Sequence, residues 1–156
     1  MGTFSVGCKI ENAVDRTRQV KLARVLVDTG SEYTWVPAMA LEKIGIAREK
    51  KDVEFIMANG QRITRSVGFA IIRVEKAFTI DEVVFAEKGD LLLLGARSLE
   101  GLNLAIDPRR KKLVAAGPLP VAPAQMYDQP LNASRAAASV ASISTVPWAA
   151  ETNPAS

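Results

Sequence analysis

Hydrophobic and polar residues alternate over short stretches in the first three quarters of the chain, and a period of two predicts β-strands. The segments TFSVGCKI (residues 3–10) and QVKLARVLV (residues 19–27) both show this alternation. The second segment ends in an uninterrupted apolar run, which is typical of a strand that becomes buried on both faces. Three further segments are predicted to supply strands: FTIDEVVFAE (78–87), DLLLLG (90–95) and the hairpin LAIDPRRKKLV (104–114).

Residues 53–74 predict one long hairpin. Asn59-Gly60 near its middle is a strong turn signal, because both residues tolerate a positive φ angle. The alternation in the arm after the turn predicts one apolar side. That side consists of Ile63, Val67, Phe69 and Ile71.

Two short segments favour helices, residues 37–46 and residues 98–104. The first has Pro37 at its start and Gly45 near its end, which are favoured helix boundaries. Its predicted apolar face consists of Met39, Leu41 and Ile44. Many short strands separated by turns every 8–12 residues indicate a mainly β fold, a small barrel or a sandwich.

The composition of the chain changes near Gly117. Six of the eight prolines lie between positions 118 and 154, whereas all ten glycines lie at or before position 117. Residues 118–156 are rich in Pro, Ala and Ser, and alanine buries little apolar surface. We therefore predict a folded domain over residues 1–117 and a disordered tail over residues 118–156.

The residue counts exclude several classes of protein. The chain has no histidine and one cysteine, which excludes Ser-His-Asp and Cys-His hydrolases and the usual zinc sites. The net charge of +3 is scattered, and the run RRKK at 109–112 is interpreted as a solvated turn, so we expect no nucleic-acid partner. No apolar stretch reaches the length of a membrane span. With no signal-peptide pattern and no disulfide, we expect a cytoplasmic protein.

One acidic residue stands where charge is costly. In RVLVDTGSEYTWVP, Asp28 ends the apolar run and Thr29, Gly30 and Ser31 follow. Burying an isolated charge is unfavourable, unless turn amides such as those of Gly30 and Ser31 bind the carboxylate. The triplet alone is also compatible with an Asp that merely caps a turn.

The order of these features resembles that of the retropepsin-like aspartic proteases, and more closely the small single-domain aspartyl proteases of bacteria and archaea. The resemblance rests on an Asp-Thr-Gly motif after a strand, then a helix, a hairpin with an Asn-Gly tip, an apolar strand ending in glycine, and a short helix. It covers nearly all of residues 1–117. The quoted motifs are VLVDTGSEYTWVP, MANGQRITRSVG, LLLLGARSLEGLNLAIDP and KKLV.

The resemblance implies a single-lobed, closed β-barrel with one or two short helices, and it assigns roles to particular residues. Asp28 would be the catalytic residue, Thr29 would brace the two active-site loops of a dimer, and Gly30 would keep the loop tight. The substrate would contact Ser31 and the tip of a flap, and two residues would support the catalytic loop from behind. The flap-tip residues are Met57, Ala58, Asn59 and Gly60, and the supporting residues are Leu94 and Gly95.

Acid–base chemistry indicates why two chains would be needed. One carboxylate cannot both activate water and donate a proton to the scissile carbonyl, but two that share one proton can. The chain has one Asp-Thr-Gly motif and is too short for two lobes, so we predict a homodimeric aspartic endopeptidase acting on peptides or proteins. The mechanism requires no metal and no cofactor.

Two alternatives remain at this point. The first is a catalytically silent peptide-binding or dimerisation module on the same fold. The second is the phosphate loop of the actin and sugar-kinase superfamily, which also places Asp-x-Gly-Ser after an apolar strand; that fold needs two large lobes.

Several other residues are interpreted as structural. We expect Cys8 to pack as a small hydrophobic residue and Trp35 to belong to the core or the wall of the barrel. Arg62 and Arg65 are interpreted as solvated charges of the hairpin. Three acids are predicted in turns: Asp81, Asp90 and Asp107.

Overall fold

A computed structural model of the chain describes residues 3–120. Its first compact unit is Met1–Pro118. Apart from residues 118–120, the predicted tail lies outside the described residues and stays a prediction.

The described residues form nine β-strands and two short helices, which confirms the predicted mainly β fold. The strands predicted from alternation are present, although the apolar run before Gly95 contributes only two residues of strand. The elements are β1 (Ser5–Glu11), β2 (Gln19–Val27), β3 (Thr34–Pro37), α1 (Ala38–Lys43), β4 (Lys50–Ile56), β5 (Arg62–Val74), β6 (Ala77–Ala86), β7 (Leu93–Leu94), α2 (Ala96–Leu102), β8 (Leu104–Asp107) and β9 (Lys112–Ala115).

Seven of these strands form one sheet in the order β1-β2-β7-β3-β6-β5-β4, and a pairing of β1 with β5 closes six of them into a ring. The length of β5 makes this closure possible. One edge of β5 pairs with β6, while its other edge pairs first with β4 and then, near Ile72, with β1. The β8–β9 hairpin forms a separate two-stranded sheet.

The apolar core fills the inside of this ring. Cys8 and Ile10 of β1 lie in it, which confirms the packing role predicted for the cysteine. Burial also raises the pKa of the Cys8 thiol to about 12, so this side chain is no thiolate nucleophile. The predicted apolar side of β5 is wrong at Phe69, which is 44% exposed although Val67 and Ile71 on the same side of the strand are buried.

Helix α1 begins after Pro37, and Gly45 follows its end with a φ angle of 76°, as the sequence predicts. Leu41 and Ile44 are buried, but Met39 is 81% exposed and its predicted place on the apolar face is wrong. The helix has only six residues, so its buried face is too narrow for all three side chains. Among the described residues, no helix has the length and apolar character needed to cross a membrane.

The β4–β5 hairpin turns at Asn59-Gly60, as predicted, but with a different backbone. The Gly60 amide donates to the Met57 carbonyl at 2.8 Å, and Gly60 has a φ angle of 85°, whereas Asn59 is not among the positive-φ residues. This arrangement is a type I turn followed by a left-handed glycine. The Asn59 side chain instead stabilises the turn by accepting from the Gln61 amide at 2.9 Å.

Two predictions for charged residues are wrong, those for Arg65 and Asp81, whereas the turns predicted at Asp90 and Asp107 are confirmed. Arg65 is not a solvated charge: its side chain is 14% exposed and donates to both carboxylate oxygens of Asp90, at 2.7 and 2.8 Å. Asp81 lies within β6 rather than in a turn. Asp107 does stabilise a turn, since its carboxylate accepts from the amides of Arg109 and Arg110 at 3.1 Å.

Glu11 is a nearly buried carboxylate on the outer side of the ring. It is 4% exposed, accepts from the Arg73 guanidinium at 2.8 Å and lies 3.8 Å from the Lys9 ammonium. The hydrogen bond from Arg73 and the nearby positive charges hold the pKa of Glu11 below its ordinary value, although burial acts in the opposite direction. Because β1 and β5 are paired here, the ion pair joins two strands whose contact closes the ring.

We expect Glu11→Gln to reduce the free energy of unfolding at pH 7 by about 1–3 kcal/mol, the effect of a hydrogen bond between charged groups. A lowered folded pKa means that the stabilisation is complete above the unfolded pKa, about 4.3, and is lost as the pH falls through the folded value. Urea unfolding at pH 7 and pH 3 measures this, with Glu49→Gln, at an exposed carboxylate, as the control. A difference between wild type and Glu11→Gln that stays constant with pH would contradict the assignment.

Candidate active site

The main chain of two distant segments positions Asp28. Strand β2 ends one residue before it, and β7 runs parallel to β2 with Val27 opposite Leu94. The Asp28 amide donates to the Leu94 carbonyl at 3.1 Å. Leu94 is fully buried, so the base of the loop that follows Asp28 is fixed to the core.

The Asp28 carboxylate is held by one turn amide rather than the two predicted. The Gly30 amide donates to the carboxylate at 2.9 Å, whereas the Ser31 amide donates to the main-chain carbonyl of Asp28 at 3.3 Å. Because the turn is tight, the Ser31 amide reaches the main-chain carbonyl of Asp28 instead of its carboxylate. A Cβ atom on residue 30 would lie 3.1 Å from the carboxylate oxygen, so glycine leaves this oxygen room.

Gly95 supports the loop after Asp28 by close contact. The next two amides, of Ala96 and Arg97, donate to the Ser31 and Glu32 carbonyls at 2.7 and 3.1 Å. A Cβ atom on residue 95 would lie 2.7 Å from the Glu32 carbonyl oxygen and still closer to the Tyr33 carbonyl. Any side chain here would therefore push the loop away from β7.

A buried chain of hydrogen bonds, which the sequence reasoning missed, continues this support. The Gly95 amide donates to the Thr34 hydroxyl at 3.0 Å, and this hydroxyl lies 2.6 Å from that of Ser98. The Ser98 hydroxyl donates to the Asp81 carboxylate at 2.8 Å. Thr34 is a polar residue in the apolar stretch YTWVP. Its position there is the one sequence signal that could have indicated a buried hydrogen bond.

A groove of about 950 Å³ opens beside Asp28. Three aromatic residues form part of its lining, with the Phe55 ring 5.4 Å from that of Tyr33 and 5.1 Å from that of Trp35. Ile56 and Leu91 also line it and are 68% and 65% exposed. An open, largely apolar groove next to a carboxylate is a suitable site for an extended peptide.

Five of the ten predicted site residues line this groove. Asp28, Gly30, Ser31, Met57 and Ala58 line it. The hairpin tip itself, Asn59 and Gly60, is not part of the lining. Thr29 is exposed and lines a separate cavity of about 220 Å³, which it shares with Asp28.

Two carboxylates near the groove are stabilised in their charged form by basic side chains. The hydrogen bonds from Arg65 hold the pKa of Asp90 below its ordinary value, with burial opposing the effect. The hydrogen bond from Lys50 does the same for the pKa of Glu82. These ionised groups are therefore poor candidates for donating a proton, whereas the Asp28 carboxylate faces the open groove.

Comparison with known proteins gives one result for the family. The sequence profile of a family described as "gag-polyprotein putative aspartyl protease" matches residues 17–101. This match spans Asp28, the β4–β5 hairpin and Gly95, and so includes every residue predicted for the site. No curated protein sequence matches the chain at a significant level.

We expect Thr34→Val to destabilise the fold by about 1–3 kcal/mol, because the buried Gly95 amide loses its acceptor and Ser98 loses a partner. Thr34→Ser retains the hydroxyl and is the matched control, with a loss of less than half as much. Urea unfolding of the three proteins measures the differences. Equal losses in the valine and serine variants would show that the hydroxyl contributes no more to stability than the methyl group that serine lacks.

Proposed function

We propose that this chain, which belongs to the retropepsin-like gag-polyprotein aspartyl protease family, is an endopeptidase that cleaves peptide bonds as a homodimer. The observation that carries the proposal is the position of Asp28. Its carboxylate is held by the Gly30 amide in the lining of a largely apolar groove. The β4–β5 hairpin contributes Met57 and Ala58 to the same groove, as a flap over a bound peptide would.

In the proposed mechanism two Asp28 carboxylates, one from each chain, face each other and share one proton. Like charges in close contact cannot both ionise, so one carboxylate accepts a proton from the attacking water while its protonated partner polarises the scissile carbonyl. The Gly30 amide keeps the carboxylate oriented during this exchange. Neither a covalent intermediate nor a metal ion takes part.

The exposure of Thr29 supports the dimer. Its side chain lies away from the groove, beside the smaller cavity that Asp28 also lines. In the proposed dimer this side of the loop meets the same loop of the second chain, and Thr29 braces the two across the two-fold axis. The single chain supplies one catalytic carboxylate, so a monomer is inactive.

We also propose a reducing, cytoplasmic location. The supporting observation is that Cys8, the only cysteine, is free and buried in the core, so the fold needs no disulfide.

We expect Asp28→Asn to abolish Asp-dependent peptide cleavage, with a loss of at least about 10³-fold in kcat at mildly acidic pH, because general acid–base catalysis requires the carboxylate. The assay is cleavage of a mixed peptide library followed by mass spectrometry. Asp52→Asn is the matched control: Asp52 is exposed, and its φ angle of 56° suits asparagine equally well. Equal cleavage by wild type and Asp28→Asn would refute the mechanism, and no cleavage by a confirmed dimer would favour the silent binding module.

We expect the cleavage rate per chain to fall when the protein is diluted below the dissociation constant of the dimer, since half of the catalytic pair is then missing. Initial rates over a thousandfold range of protein concentration, compared with the dimer fraction from analytical ultracentrifugation, measure this. A rate per chain that is constant while the dimer dissociates would show that one chain is sufficient.

A further inference from the structure

The charged residues that line the groove all have the same sign. Among the described lining residues none is Lys or Arg, and four are acidic: Asp28, Glu32, Glu54 and Asp90. The whole chain, in contrast, has a net charge of +3. The groove is thus an acidic site on a basic protein.

Two of these four acids have basic partners outside the groove. Arg65 binds Asp90 through two hydrogen bonds and neutralises it. Arg62 lies 2.8 Å from Glu54, but both side chains are more than half exposed, and an ion pair in water is weak. Glu54 is therefore only partly compensated.

Glu32 has no such partner. Within residues 3–120 it forms no ion pair, and its side chain is exposed. The main-chain amide of Arg97 donates to the Glu32 carbonyl. The Arg97 guanidinium, however, lies over the Tyr33 ring at 4.9 Å and within 4 Å of Asp81 and Glu82. The arginine is thus engaged by two other acids.

We propose that the groove selects peptides with a Lys or Arg close to the scissile bond, in addition to large apolar side chains, and that Glu32 is the specificity-determining residue. This inference rests on the proposed peptidase function. Glu32 follows Asp28 by four positions and lines the same groove, so a cationic side chain of a bound peptide can reach its carboxylate. A two-fold dimer places one Glu32 on each side of the catalytic pair, and the preference should therefore appear on both sides of the scissile bond.

The test uses the full chain and a set of peptides derived from one cleaved library peptide. A single position is walked from four residues before to four residues after the scissile bond, and is occupied in turn by Lys, Gln or Glu. We expect kcat/KM to be about tenfold higher for Lys than for Gln at one position on each side, the effect of one charge-assisted hydrogen bond, and lower again for Glu. Added salt should reduce the preference, because ions screen partly exposed charges.

Glu32→Gln should remove most of the Lys preference, so that kcat/KM for the Lys peptide falls to within about twofold of that for the Gln peptide. Glu100→Gln, at an exposed carboxylate of α2 outside the groove lining, is the matched control and should keep the preference. Asp28-dependent cleavage with equal rates for Lys and Gln peptides, or a preference unchanged in Glu32→Gln, would overturn the inference and leave the peptidase function intact. Absence of Asp28-dependent cleavage would refute the peptidase function itself.

Discussion

The close passage of Gly95 against the carbonyls of residues 32 and 33 is the contact on which the rest of the site depends. Three main-chain hydrogen bonds from residues 28, 96 and 97 join the loop after Asp28 to the segment around β7. The two bonds from residues 96 and 97 require glycine at position 95, because a Cβ atom there would clash with the carbonyls of residues 32 and 33. The Gly95 amide also donates to the Thr34 hydroxyl. The buried chain of hydrogen bonds therefore begins at the same residue whose lack of a side chain allows the close contact. The loop is consequently held by backbone geometry, and its side chains are free to face the groove.

The distribution of charge follows from this arrangement. The basic side chains near the groove are engaged: Arg65 with Asp90, and Arg97 with Asp81 and Glu82. Of these residues only Asp90 lines the groove, and the pairs stabilise the strands and loops that form it. The acids of the groove lining that no buried basic partner neutralises are Asp28, Glu32 and Glu54, so the groove is acidic because the nearby arginines are engaged elsewhere.

Local patterns predicted the local structure well. The alternation over residues 19–27 predicted a strand with the bounds later observed for β2, and the Asp-Thr-Gly motif predicted the position of the carboxylate at its end. The pairing of Arg65 with Asp90 and the contact between Thr34 and Ser98 could not be predicted, because they join residues 25 and 64 positions apart. The exposure of Phe69 could not be predicted for a related reason. Alternation along a strand does not show which of its residues the rest of the fold covers.

The ion pairs and the proposed chemistry make opposite demands on pH. A catalytic pair that shares one proton needs conditions in which one carboxylate of the pair is protonated, whereas the Arg73–Glu11 and Arg65–Asp90 pairs need ionised carboxylates. The lowered pKa values of Glu11 and Asp90 resolve this conflict, since both groups stay charged at a pH where an ordinary carboxylate begins to be protonated. The basic partners that hold the fold together therefore also keep it stable at the mildly acidic pH that the proposed catalytic pair needs.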